Sequence, residues 1–154
     1  LEPKERIGRA DAFIAALGIA IEHGGVEAYY SPAADRVQLP DFERFYDVQS
    51  YYSVCLHECG HATGAKHRLD RDLTGRFGTD SYAMEEMCAE LAAGFVLADL
   101  GISHHPRPDH AAYICTWLEV LKADARALFS VSSRAQAIAD WMHARQQPYA
   151  DGGG

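Results

Sequence analysis

Three side chains in the run Cys55-Leu56-His57-Glu58-Cys59-Gly60-His61 have the types and spacing for metal-assisted hydrolysis. At about 100° per residue on a helix, His57 and His61 stand about 40° apart and one turn above each other. Both imidazoles can then reach one ion. Glu58 falls about 60° beyond His61, close to a water on that ion without being a ligand. Two neutral nitrogen ligands, an open coordination position and a carboxylate that takes the water's proton are what this chemistry requires. The pattern is the H-E-x-x-H motif of zinc peptidases. Five positions with three fixed recur by chance, so the setting carries the reading. Ser50-Tyr51-Tyr52-Ser53-Val54-Cys55-Leu56 runs straight into the motif. The histidines therefore sit in mid-helix, on a segment too apolar for a surface helix, and buried histidines side by side need a reason.

A hydrolytic zinc site takes three protein ligands. His67 would extend the string to His57-Glu58-x-x-His61-x-x-Gly64-x-x-His67, the metzincin pattern. Glu86 is the other candidate. It shares a helix face with Glu90 one turn on, so one carboxylate can bind the ion while the other accepts the spare N–H of a ligand histidine. The segment from Met84 to Leu100 is apolar yet holds Glu85, Glu86 and Glu90. Acids at helical spacing there need a positive partner. Glu86 is favoured as the ligand, with Glu90 supporting a histidine; His67, and after it Glu90 or Glu85, remain open. Tyr82, one turn before Glu86, is either a donor to a developing oxyanion or core packing, and packing is favoured. His104 and His105 stand in a Pro-rich linker and are expected to be solvated. His110, in a helix first turn, and His23 and His143 are read as isolated.

The elements that must position these residues follow from periodicity. Residues Pro3 to Leu17 read as a helix stopped by Gly18. Short strands are expected at Ile19–His23, Val26–Ser31 and Arg36–Leu39, with Gly24-Gly25 as a hairpin turn. Together they predict a small antiparallel sheet of three strands. The motif helix spans about Val48 to Thr63, and a polar loop covers Lys66 to Asp80. Further helices are expected at Ser81–Leu100, from Asp109 to about Phe129, and from Ser132 or Ser133 to about Arg145. Residues 148–154 read as a frayed tail. The class is α+β, mostly helical, and residues 1–154 form a single domain.

With 154 residues, 48% hydrophobic and 23% charged, the composition is that of an ordinary globular domain. No apolar run approaches the roughly 18 residues that cross a bilayer, and no signal peptide opens the chain. A cytoplasmic setting is expected. The net charge of −8 argues against this segment gripping a phosphate backbone by itself. The four cysteines contain no C-x-x-C pair and read as buried small hydrophobes in a reducing compartment. The chain begins at Leu1 rather than Met, as expected of a fragment or a trimmed chain.

A longer co-linear set then stands out. It comprises Tyr51-Tyr52, His57-Glu58-x-x-His61-x-Thr63-Gly64, Arg68-Leu69-Asp70-Arg71, Phe77-Gly78 and Tyr82-Ala83-x-Glu85-Glu86-x-x-Ala89-Glu90-Leu91. Ala112-Tyr113-Ile114, Trp117-Leu118 and Leu121-Lys122 continue it. This set resembles the C-terminal zincin-like metallopeptidase domain of ArdC-type antirestriction proteins, which also occurs in TraC-type primases and phage polyvalent proteins. The likeness extends from about Arg6 to Met142. It implies a zincin core related to the SprT and gluzincin types. It also implies Zn2+ at His57, His61 and an acid from the Glu85-Glu86…Glu90 block, with Glu58 as catalytic base. The implied setting is a mobile element whose incoming DNA is protected from restriction. The implied partner is a protein or peptide substrate. Family members carry an N-terminal single-stranded-DNA-binding domain for which this chain has no room, so nucleic acid is expected only indirectly. Ala62 and His67 depart from the common pattern without touching the implied ligands.

Overall fold

The computed structural model describes residues 4–76 and 78–147. Pro3, Phe77 and the tail from residue 148, on which expectations above fell, lie outside the described residues. The order of elements is α1 (Gly8–Ala16), β1 (Ala20–His23), β2 (Tyr29–Ser31), β3 (Arg36–Leu39), a 3-10 turn (Phe42–Arg44), α2 (Val48–Ala62), α3 (Asp80–Asp99), α4 (Pro108–Lys122) and α5 (Ala125–Ala144).

The sheet is mixed, with strand order β1-β3-β2, which corrects the antiparallel expectation. β1 pairs parallel with β3, and β2 pairs antiparallel with β3. The reason is burial. Val37 and Leu39 of β3 are fully buried, so β3 takes the centre. β1 is mostly exposed and β2 half-buried, and neither holds a fully buried residue, so they serve as edges. Gly24-Gly25 is accordingly no hairpin turn. Gly24 donates its N–H to the Leu39 carbonyl at 2.8 Å, and both glycines have positive φ (140° and 68°), which carries the chain past the end of β3.

α2 is the central element. Asp47 caps it by accepting from the Ser50 N–H at 2.7 Å, and every residue from Tyr51 to Gly60 is buried. α3 is capped by Thr79, which accepts from the Tyr82 N–H at 3.2 Å. The two helices come close where Gly60 meets Ala89: a Cβ at Gly60 would lie 3.3 Å from the Ala89 Cα. Small residues at this crossing let α3 reach α2 with short acidic side chains. The other face of α3 rests on Val131, Ala135, Ile138 and Met142 of α5, a helical repeat.

Some boundaries move. α1 begins at Gly8 because Ile7 is extended and its N–H is taken by the Tyr52 hydroxyl at 2.9 Å. The expected break near Ser132 falls instead at Ala123-Asp124, where Asp124 accepts from the Arg126 N–H and caps α5. Neither Gly nor Pro marks that break. Cys55, Cys59 and Cys88 are buried, but Cys115 is exposed. α4 turns His110, Trp117 and Leu121 inward, and Cys115 lies on its outer side. Among the described residues, no helix is long and apolar enough to cross a membrane.

Candidate metal centre

α2 presents His57 and His61 to α3, and the carboxylate of Glu86 meets both. Nε2 of His57 lies 3.0 Å from Nε2 of His61 and 3.0 Å from Glu86 Oε2. Nε2 of His61 lies 3.1 Å from Glu86 Oε1. His57 and Glu86 are 1% and 8% exposed, while His61 is part-exposed and turns one side of the group to the clefts. Each Nδ1 faces a carboxylate of its own. Glu85 takes Nδ1 of His61 at 2.7 Å. Glu90 lies 2.6 Å from Nδ1 of His57, off the line of a straight hydrogen bond.

The Glu85 hydrogen bond assigns the His61 tautomer, and the nearness of Glu90 gives His57 the same one once an ion takes its Nε2. A neutral imidazole whose Nδ1 proton goes to a carboxylate has a lone pair on Nε2. Two such lone pairs and the Glu86 oxygens then converge with nothing to donate. Only a cation or extra protons reconcile them. Tetrahedral ligation at bonds of about 2.0–2.1 Å separates ligand atoms by roughly 3.3 Å, a few tenths more than is found, so the donor set fits a small divalent ion. Without an ion, protons take its part. Burial opposes charge on His57, but Glu86 and Glu90 push its pKa up to about 9. Burial likewise opposes charge on His61, yet Glu85 and Glu86 raise it. Against the same burial, the histidines hold Glu86 and Glu90 well below the ordinary carboxylate range.

Glu58 stays out of this group. It faces a cleft of about 290 Å³ shared with His61, Tyr82, Glu86, Arg107 and His110. Its nearest cation is Arg107, whose Nη1 donates to Oε1 at 3.5 Å. Arg107 is fixed by Asp109 at 2.7 and 2.9 Å and by the Ala28 carbonyl at 3.0 Å. A second cleft of about 210 Å³ lies across His61 and Glu86, and Tyr30 and Tyr82 wall both. Tyr82 therefore lines the site rather than the core. Burial, then the charge of Glu86, push its phenol up to about 12, so it is a neutral O–H at ordinary pH.

The structure takes His67 out of the site: its side chain is 63% exposed and lies 3.5 Å from Asp35. Glu85 meets Nδ1 of His61 rather than the two Nε2 atoms, so by geometry it is no third ligand. It sits between His61 and Arg71, whose Nε donates to it at 2.8 Å. His104 and His110 are also not as expected. Nε2 of His104 lies 2.7 Å from Glu90 Oε1, and His110 is buried with its ring centroid 4.4 Å from that of His57. His105 pairs with Asp47 at 3.0 Å. His23 lies 2.8 Å from the Tyr51 hydroxyl, and His143 lies 2.8 Å from Asp99. No local spacing announces Arg71, His104, Arg107 or His110, since each reaches the site from outside the two helices that define it. The one signal was a row of three acids on an apolar helix, too many for two histidines to balance.

Residues 8–134 match the model of a family described as zincin-like metallopeptidase. Protein y4eC of Sinorhizobium fredii is 60% identical over 146 residues, a stretch that is 95% of this chain and 48% of that protein. DNA primase TraC of Escherichia coli is 41% identical over 152 residues, covering 96% of this chain and 14% of the primase. The Mn(II)-bound structure of the antirestriction ArdC protein from plasmid R388 superposes with a TM-score of 0.83 at 34% identity. That match covers 96% of this chain and 56% of the other. This chain thus spans roughly half, or less, of each relative's length.

Proposed function

The chain belongs to the zincin-like metallopeptidase family, and on that premise we propose that it is a zinc-dependent peptidase that hydrolyses peptide bonds in a protein substrate. His57, His61 and Glu86 hold the ion, Glu90 orients His57, and Glu58 is the general base. The observation that carries this reading is the convergence of two Nε2 lone pairs and one carboxylate, with Glu58 beside them in an open cleft. The ArdC relative was solved with Mn(II), and a mixed imidazole–carboxylate set accepts either metal.

A bound zinc ion supplies Lewis acidity, which polarises a carbonyl and brings a water's pKa near ~7. The chain's own residues do the rest. Glu58 accepts the water's proton on its carboxylate and returns it to the leaving amine. Glu90 and Glu85 keep the imidazoles neutral on Nε2 by taking Nδ1–H. Tyr82 and Arg107 offer an O–H and a guanidinium to a developing oxyanion. Among the described residues β2 pairs only with β3, so its other edge is open beside the clefts to an extended peptide.

The relative named for antirestriction, from a plasmid, supports a role in protecting incoming mobile-element DNA. With a net charge of −8, contact with nucleic acid is assigned to parts outside this chain. The test is incubation of the zinc-loaded chain with restriction enzymes and other candidate proteins, with and without DNA. Cleavage is expected, lost on chelation and lost in Glu58→Gln with zinc still bound. Tight binding of a restriction enzyme without turnover would favour a zincin fold kept for recognition. Full cleavage by Glu58→Gln would remove Glu58 as the base.

A further inference from the structure

Glu90 meets three rings: His57 and His110 on Oε2, the latter at 3.5 Å from its Nδ1, and His104 on Oε1. Oε2 lies 2.6 Å from Nδ1 of His57, and Oε1 lies 2.7 Å from Nε2 of His104. Those separations are ion-pair contacts off the line of straight hydrogen bonds, and they are shorter than two ligand atoms of one ion keep. The carboxylate is thus bracketed between the metal group and the connection joining α3 to α4. That connection is itself pinned. His105 donates its N–H to Ser53 Oγ at 2.9 Å and sets its ring against Asp47, and Arg107 grips Asp109 and the Ala28 carbonyl.

Space for the His104 ring is made by one glycine. Gly94 lies one turn beyond Glu90 on the same face of α3, and a Cβ there would come within 3.3 Å of His104 Nδ1 and 3.7 Å of its Cε1. Gly94 has no positive φ to justify it, and glycine in mid-helix is unfavourable relative to alanine. Its use is the room it leaves.

We propose that His104, seated over Gly94, is a positioning residue: it holds the Glu90 carboxylate against Nδ1 of His57 and so aims Nε2 of His57 at the ion. This rests on the reading that Glu90 supports His57. Without His104 the Glu90 carboxylate keeps only the rings on its Oε2, His57 and His110, so it can turn about its last bond, and the imidazole it orients turns with it.

The test is zinc affinity, measured by competition with a chromophoric chelator, alongside the melting of the zinc-free chain. His104→Ala is expected to bind zinc about tenfold more weakly, with an unchanged far-ultraviolet spectrum. His104→Gln keeps an N–H donor and is expected to recover most of that loss. Gly94→Ala should weaken zinc binding while the zinc-free chain melts no lower, because alanine favours the helix but displaces the ring. A general structural role would move both quantities together. Should His104→Ala fail to fold, the Gln and Gly94→Ala variants carry the test. Wild-type affinity in all the His104 and Gly94 variants, with affinity lost in Glu90→Gln, would overturn the proposal and leave Glu90's role standing. Wild-type affinity in Glu90→Gln as well would overturn the role of Glu90. Two zinc ions per wild-type chain, the second lost in Glu90→Gln, would place Glu90 with His57 and His110 around a second ion and likewise overturn the proposal.

Discussion

Glu85, Glu86 and Glu90 stand within two turns of one helix and meet three different environments. Glu86 faces two Nε2 atoms, Glu85 is held between His61 and Arg71, and Glu90 sits among His57, His110 and His104. The charge balance has a consequence in pH. The pKa of His57 in the zinc-free chain, about 9, lies above its ordinary value of 6.5. Its contribution to stability is therefore full below about pH 6.5 and is lost as pH rises through 9. Glu86 and Glu90 lie below their ordinary 4.5, so their contribution is full above that value and lost as pH falls through the depressed range. In chelator, the chain is expected to melt highest between pH 4.5 and 6.5 and to lose stability toward pH 9. Zinc needs neutral imidazoles, so its affinity should climb over the same alkaline limb. Thermal melts with and without chelator check this. A zinc-free melting temperature that stays flat from pH 6.5 to 9 would contradict the proton-for-ion exchange. The sequence exposed His57, Glu58, His61 and the row of acids because one helix period governs each. It hid Arg71, His104 and His110 because their contacts are tertiary.

At the scale of elements, the crossing of α2 and α3 sets how closely carboxylates approach imidazoles. Gly60 is the contact point, and Cβ space there is short by a few tenths of an ångström. Gly60→Ala adds helix propensity, but the new methyl must push Ala89 away. It is expected to destabilise the chain by about 1–3 kcal/mol, as overpacking does, and to weaken zinc binding, both read from melts with and without zinc. A more stable chain with unchanged affinity would mean that the crossing has slack. Helix existence was legible from periodicity for α2 and α3. The α4–α5 boundary was not, since an Asp cap with no Gly or Pro gives little local signal. The sheet order escaped too. Pairing depends on which strand is most buried, and Val37 and Leu39 in so short a strand do not announce a central position.

Over the whole molecule, helices on one side and a small sheet on the other leave a groove that crosses His61 and Glu86 between β2 and the start of α4. Co-linear residues from Tyr51 to Lys122 made the family legible, while the mixed sheet and the histidines of the α3–α4 connection needed the fold. The account depends on one arrangement: a single ion on His57 Nε2, His61 Nε2 and a Glu86 oxygen, with a position left open toward Glu58. A zinc-soaked crystal, read by anomalous scattering at the zinc edge, measures it directly. One peak is expected, with those three atoms at about 2.0–2.2 Å and Glu58 not bonded. A fourth protein ligand closing the ion, or zinc seated elsewhere while these side chains stay ion-free, would contradict it.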